Sequence, residues 1–168
     1  DKINLSASHL LALVNDVLDM NKLESGKETI ESVSFDLKHL MDDVASLVNA
    51  QITEMGITHC THRGELTHTR LIGSPLRLRQ IMLNLFSNAI KYNKPGGMID
   101  TYAGEVSCDG TRVVYEFRIT DSGIGMSSEF IEKELFHPFT QEKSGARTQY
   151  KGTGLGMSIV KELIEKMQ

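Results

Sequence analysis

The 168 residues carry 18 basic and 22 acidic side chains, a net charge of −4, and 40% of them are hydrophobic. A soluble chain of this size buries about 70% of its extended surface, so it requires no disulfide or metal staple, and its acidic balance argues against general nucleic-acid binding. The longest unbroken apolar run, Leu10 to Val14, is too short to span a bilayer, and the two cysteines, Cys60 and Cys108, stand singly as expected of reduced thiols in a cytosolic compartment.

The first 24 residues read as one helix. Ile3, Leu10, Leu13, Val17 and Met20 follow a three-four spacing that Leu11, Val14 and Leu18 widen, and Gly26 is the first helix stop. The pattern opens without a cap, as expected of a piece of a longer protein, and its wide apolar stripe calls either for a partner helix or for the domain that follows. A second helix is expected from Asp36 to Met55, with Leu37, Leu40, Met41, Val44, Leu47, Val48 and Ile52 as its buried face and Gly56 as its stop. Ile57 to His62 reads as a short strand. Ser74-Pro75, a capping serine before a first-turn proline, opens a third helix that runs to about Tyr92. Two strands follow, Met98 to Val106 and Thr111 to Thr120, joined by a turn at Asp109-Gly110. A short helix at Ser128 to Leu135, a polar stretch at Gln141 to Lys151 and a helix from about Leu155 to the end complete the chain. Helices and an antiparallel hairpin in this order predict an α+β or α/β sandwich, with helices on one face of a sheet.

Three segments carry the chemical signals. On the third helix, Arg77, Gln80, Asn84, Asn88 and Lys91 fall within about 40° of one line, with Leu78, Ile81, Met82, Leu85 and Ala89 opposite. A solvated face normally uses Lys and Glu, whereas asparagine is a poor helix former, so two asparagines and a lysine at one-turn intervals point to ligation of a hard cation and of phosphate. Asp121-Ser122-Gly123-Ile124-Gly125-Met126 follows a strand. It reads either as a plain turn or as a carboxylate placed to accept from an exocyclic amino group, beside glycines that let the backbone approach a flat ring. Gly152-Thr153-Gly154-Leu155-Gly156 opens a helix like a phosphate cradle. It is not a Walker motif, because Met157-Ser158 stands in place of lysine and hydroxyl, and it follows a polar loop rather than the strand of a dinucleotide-binding unit.

Together, in this order, these segments resemble the ATP-binding domain of sensor histidine kinases. Leu78 to Tyr92 is similar to the family's N box, Asp121 to Met126 to its first glycine box, Phe136 to Gln141 to its phenylalanine box and Gly152 to Ile159 to its second glycine box. The opening, with Asn15-Asp16-Val17-Leu18-Asp19 and Leu23-Glu24-Ser25-Gly26-Lys27, resembles the second helix of a dimerisation and phosphotransfer hairpin, and the wording is closest to hybrid kinases that also carry a receiver domain. The resemblance implies a two-layer α/β sandwich of the histidine kinase, gyrase and chaperone type, with a mixed, largely antiparallel sheet. Residues 1–26 would be the partial hairpin and 27–168 the ATP-binding catalytic domain, ending before the family's last strands. It implies ATP and Mg²⁺ as cofactors, with Asn88 as the metal ligand, Asn84 lining the same face, Lys91 on phosphate and Tyr92 near the nucleotide. Asp121 would take the adenine amino group and Gly123 and Gly125 shape the base pocket. Gly152, Gly154 and Gly156, with Thr153 and Leu155 between them, would hold the triphosphate. Residues 141–151 would be the ATP lid, anchored by Phe136 and Phe139, the latter beside the cofactor; the plainer reading of both phenylalanines is core.

The implied partners are a phosphoacceptor-histidine helix of the parent protein, a response regulator or receiver domain, and a second copy of the parent, with no nucleic acid and no membrane contact by this segment. No histidine here matches a phosphoacceptor motif: His9 reads as a surface or bundle residue, and His39, His59, His62, His68 and His137 fit no such pattern. His59-Cys60-Thr61-His62 suggests a metal site, but strand alternation sets the two histidines on opposite faces. Two other functions remain open at this stage. A self-contained ATPase of the same superfamily would need a glutamate one turn before the metal asparagine, where this chain has Asn84. A regulatory module that binds nucleotide without catalysis would fit poorly with the intact Asn88, Lys91, Asp121 and glycines.

Overall fold

The computed structural model describes residues 11, 14, 17, 18, 20, 21, 29–142 and 152–167. They fall into two compact units, one of residues 31–125 and the other of residues 1–30 with 126–168.

In the first unit, β1 (Val33–Asp36) leads into α1 (Leu37–Glu54), followed by β2 (Thr58–Arg63), β3 (Arg70–Gly73), α2 (Pro75–Lys91), β4 (Met98–Cys108) and β5 (Val113–Asp121). Each helix starts where a short polar side chain meets the free first-turn amides: Asp36 accepts from the His39 N–H, and Ser74 from the Arg77 N–H ahead of Pro75. Both boundaries agree with the sequence expectation. The strands form two sheets, an antiparallel β1–β3 ribbon and a mixed sheet in the order β2–β4–β5, with β2 parallel and β5 antiparallel to β4. The ribbon was not expected from the sequence. Its strands are four residues each, too short to show alternation, and Ile72 is 79% exposed.

Alternation along β4 aims Ile99 and Thr101 inward, where Ile99 is fully buried beside Val44, Val48 and Ile52 of α1 and Met82, Phe86, Ala89 and Ile90 of α2. Two details correct the expected helix faces. Leu47 is 53% exposed, leaving the inward stripe of α1 to Leu37, Leu40, Val44, Val48 and Ile52. On α2 the buried line runs through Met82, Phe86, Ala89 and Ile90, while Leu78, Ile81 and Leu85 only flank it. The shift places the core opposite the asparagine line.

His59 joins the two layers. Its ring meets Phe86 edge-on, with centroids 6.0 Å apart, and its nitrogens lie 3.0 Å from Asn49 Oδ1 of α1 and 3.2 Å from Thr101 Oγ1 of β4. Burial lowers its pKa below the ordinary value, against the pull of the Asp100 charge. His62, on the other face, lies 2.9 Å from Asp100 Oδ2, so the opposite-face expectation for the two histidines holds.

In the second unit, the described residues between 11 and 21 are all helical, with Met20 buried and Leu11, Val14 and Leu18 at least 48% exposed. The expected helix over residues 1–24 otherwise lies outside the described residues, as do His9 and positions 143–151 of the expected lid. α3 (Ser128–Lys133) is capped by Ser127, and α4 (Gly156–Lys166) buries Ile159, Val160 and Leu163 next to a fully buried Leu155. No described helix is long and apolar enough to cross a membrane.

Candidate functional site

The residues singled out in the sequence divide between the two units. In the first, the face of α2 opposite its core line presents Asn84 and Asn88, half-buried and one turn apart. Neither side-chain amide makes a hydrogen bond among the described residues. That is unusual, because amide groups withdrawn from water normally find partners. Two residues of the same line satisfy each other, Arg77 donating to Gln80 Oε1 at 2.7 Å. One turn beyond Asn88, Lys91 donates to the Tyr92 hydroxyl at 2.9 Å, with its ammonium 4.5 Å from that ring's centroid.

The end of α2 is stitched to the Asp121 turn. The Tyr92 carbonyl accepts from the Ile124 N–H at 3.1 Å, and Asp121 Oδ1 accepts from the Gly123 N–H at 2.8 Å. A Cβ at Gly123 would lie 2.3 Å from the Tyr92 oxygen and 2.6 Å from Asp121 Oδ1, so this glycine permits the close approach. Gly125 lies in the left-handed region at φ 64°, and a Cβ there would meet nothing within 4 Å. Asp121 itself stays exposed at the end of β5, and its Oδ2 makes no hydrogen bond among the described residues.

Asn93 is the member of this group that sequence reasoning missed. It is 3% exposed and bonded through both ends of its amide: Nδ2 donates to the Met98 carbonyl, while Oδ1 accepts from the Lys94 N–H and the Ser122 hydroxyl. Ser122 Oγ in turn accepts from the Met98 N–H at 2.8 Å. One buried amide therefore locks the end of α2 to the start of β4 and to the turn after β5. The available signal was its position between Tyr92 and Pro95-Gly96-Gly97, where a polar residue ends the helix and no solvated role is needed.

In the second unit, the backbone of Phe139 and Thr140 lies directly on Gly154. A Cβ at Gly154 would come within 2.8 Å of the Phe139 carbonyl carbon, and its φ of 73° also requires glycine. Phe139 itself takes a positive φ of 61°. Gln141 Nε2 donates to the Gly152 carbonyl, so the phenylalanine box and the second glycine box are tied together. Phe136 and Phe139 are 41% and 64% exposed, which overturns their plainer reading as core. Thr153 Oγ1 accepts from the Leu155 N–H at 3.2 Å, but α4 has no side-chain cap, unlike α1, α2 and α3. The first-turn amides beside Gly152, Gly154 and Gly156 thus have no side-chain acceptor at the cap position.

Every one of these motifs lies within residues 73–168, and this region matches the family described as histidine kinase-, DNA gyrase B-, and HSP90-like ATPase. The chain belongs to that family. Among its relatives it is 38% identical over 165 residues to the signal transduction histidine-protein kinase BarA of Escherichia coli K12, covering 98% of this chain and 18% of BarA. It is also 38% identical to hybrid signal transduction histidine kinase B of Dictyostelium discoideum, over 98% of this chain and 8% of that protein. The chain thus spans less than a fifth of these relatives' length. Among solved structures, full-length ShkA in complex with AMPPNP matches with a TM-score of 0.76 and 31% identity, over 96% of this chain and 32% of ShkA. The catalytic domain of histidine kinase ThkA matches with a TM-score of 0.65 and 28% identity, over 82% of each chain. Within the ATPase family this chain is therefore an ATP-binding catalytic domain of the sensor histidine kinase type.

Proposed function

We propose that this chain binds Mg²⁺·ATP and directs the γ-phosphate to a histidine on a helix outside the chain, from which it passes to a response regulator or receiver domain. The observation that carries the reading is the pair of half-buried, unbonded amides at Asn84 and Asn88. Beside them in the same unit, the amide of Asn93 makes three hydrogen bonds. A free amide oxygen is the hard donor that Mg²⁺ prefers, so the residues fit the ion, with Asn88 as its ligand and Asn84 lining the same face. The metal, when bound, would neutralise phosphate charge; Lys91 adds a cation, and the second glycine box, with Gly152, Thr153, Gly154, Leu155 and Gly156, is assigned to the triphosphate. Asp121, anchored through Oδ1, offers Oδ2 to the adenine amino group. Gly125, with open space where a Cβ would stand, leaves room for the base, Gly123 holds the turn against Tyr92, and Phe139 is assigned to the cofactor.

Asn84 cannot take a proton from water, which favours preserving ATP for transfer over hydrolysis. The acid–base group would stand beside the acceptor histidine, so the chain alone binds nucleotide without phosphorylating itself. Residues 1–26 are assigned to a dimerisation hairpin and 27–168 to the catalytic domain. The exposure of Leu11, Val14 and Leu18 supports a second copy of the parent protein as the partner of that helix, and a cytoplasmic location suits these partners.

AMPPNP titration with and without Mg²⁺ tests the reading. Affinity is expected to rise at least tenfold with the metal, and Asn88→Ala is expected to remove that gain and abolish phosphotransfer in the parent kinase. Metal-independent binding, or an Asn88→Ala kinase of normal activity, would refute the ligand role.

A further inference from the structure

Cys108 does not stand alone. It lies in β4 three residues after Glu105, a spacing that in a regular strand sends two side chains to opposite faces. Here the β4–β5 register slips between Glu105, paired with Tyr115, and Ser107, paired with Val114. The extra residue in β4 reverses the parity and brings Cys108 to the face of Glu105, the re-aiming that a bulge performs. The segment between β2 and β3 delivers a third donor to the same place. His68 Nδ1 lies 3.0 Å from Glu105 Oε1, and His68 Nε2 lies 3.9 Å from Cys108 Sγ. One donor atom from each of the three residues can be chosen so that all lie within 4.8 Å of one another.

We propose that His68, Glu105 and Cys108 form a binding site for a borderline-soft divalent cation of the zinc class. A thiolate, an imidazole and a carboxylate are the donor types zinc selects, and neither Mg²⁺ nor Ca²⁺ favours sulfur. Donor atoms sharing one tetrahedral zinc stand about 3.3–3.6 Å apart, given metal–ligand bonds of about 2.0–2.3 Å. A zinc takes one of the two imidazole nitrogens, and the set of one nitrogen, one oxygen and the sulfur has no pair beyond 4.8 Å, so an exposed thiol and a half-exposed ring need shifts of about 1–1.5 Å to close it.

The outer partners are also in place. Glu105 Oε2 accepts from the backbone N–H groups of Thr67 and His68 at 3.2 and 3.1 Å, which fixes the carboxylate and leaves Oε1 to the metal. The Gly110 N–H points at Cys108 Sγ from 3.3 Å, as a donor to a bound thiolate does. The tyrosine hydroxyl of Tyr115 donates to the His68 carbonyl and steadies the segment bearing the imidazole. Half of the His68 side chain is exposed, leaving a remaining position for water. The cluster sits at the Cys108 end of β4, ten residues from the Met98 end that carries the Asn93 and Ser122 network, about 33 Å at strand rise. It is therefore separate from the Asn93 and Ser122 network of its own unit, and its test does not depend on the nucleotide assignment.

The experiment titrates the full chain with Co²⁺ as a spectroscopic probe and then displaces it with Zn²⁺. One equivalent of Co²⁺ is expected to produce a thiolate-to-cobalt charge-transfer band that Zn²⁺ removes. Cys108→Ser should abolish the band and Cys60→Ser should keep it. His68→Ala and Glu105→Gln should each weaken Zn²⁺ binding at least tenfold. Zn²⁺ should also raise the urea midpoint of the unsubstituted chain but not of Cys108→Ser, whose metal-free midpoint reports that it folds. No band, a band that survives Cys108→Ser, or Zn²⁺ affinities within twofold for both His68→Ala and Glu105→Gln overturns the site.

Discussion

Recognition and folding can be separated at two residues of the turn after β5. Gly123 sits so close to the Tyr92 carbonyl that any Cβ must displace it, whereas Asp121 holds the turn through Oδ1 and presents Oδ2 outward. Gly123→Ala is expected to lower stability by about 1–3 kcal/mol, the usual cost of overpacking, and to weaken nucleotide binding with it. Asp121→Asn keeps an oxygen for the Gly123 N–H, so its urea midpoint should stay near the parent's. Its ATP affinity should fall by about 1.5–3 kcal/mol, the scale of a charge-assisted hydrogen bond. Equal affinity for Asp121→Asn and the parent chain, measured by calorimetry, would take Asp121 out of the adenine site. At this scale the sequence was legible in helix geometry: Asn84 and Asn88 share the α2 face opposite its core line, as their one-turn spacing predicts. It was opaque at Asn93 and Cys108. The roles of those two depend on a buried network and on a bulge that no local pattern announces.

Among the helices, the contrast in capping separates elements that close on themselves from one that stays open. Ser74 is 1% exposed, and its hydroxyl both accepts from the Arg77 N–H and donates to Glu31 Oε1 at 3.3 Å, an oxygen that also accepts from the Leu76 N–H. Ser74→Ala should therefore cost about 1 kcal/mol in a urea unfolding titration. Ser74→Asp caps a lone helix as well as serine does, yet here it would set a second carboxylate against Glu31, and it too should lose stability. If Ser74→Asp matched the parent's midpoint, Glu31 would not be part of this cap. The α1 and α2 boundaries could be read because a cap residue and a proline are local chemistry. The β1–β3 ribbon could not, because four-residue strands have too little length to show a period, and their pairing joins Val33 to Gly73 across 40 positions.

For the chain as a whole, the link between the helical layer and the mixed sheet through His59 makes stability depend on pH. Burial holds the His59 pKa below its ordinary value, so the unfolded chain binds a proton that the folded chain resists. The contribution is complete above pH about 6.5, the unperturbed histidine value, and is lost as pH falls from there through the folded value. Carboxylates whose pKa values are lowered act in a more acidic range. Asp36, held down first by its backbone bond from His39, and Asp109, held down first by that from Arg112, contribute stability above the ordinary carboxylate value and lose it as pH falls through their folded values. Between pH 5 and 7 the slope is therefore expected from His59. Urea midpoints measured across that range in the presence of a chelator should fall on acidification. His59→Gln, which removes the titrating imidazole, should lower the midpoint at pH 7 while flattening the slope. An unchanged slope in His59→Gln would show that the layer contact is not the source of the acid sensitivity.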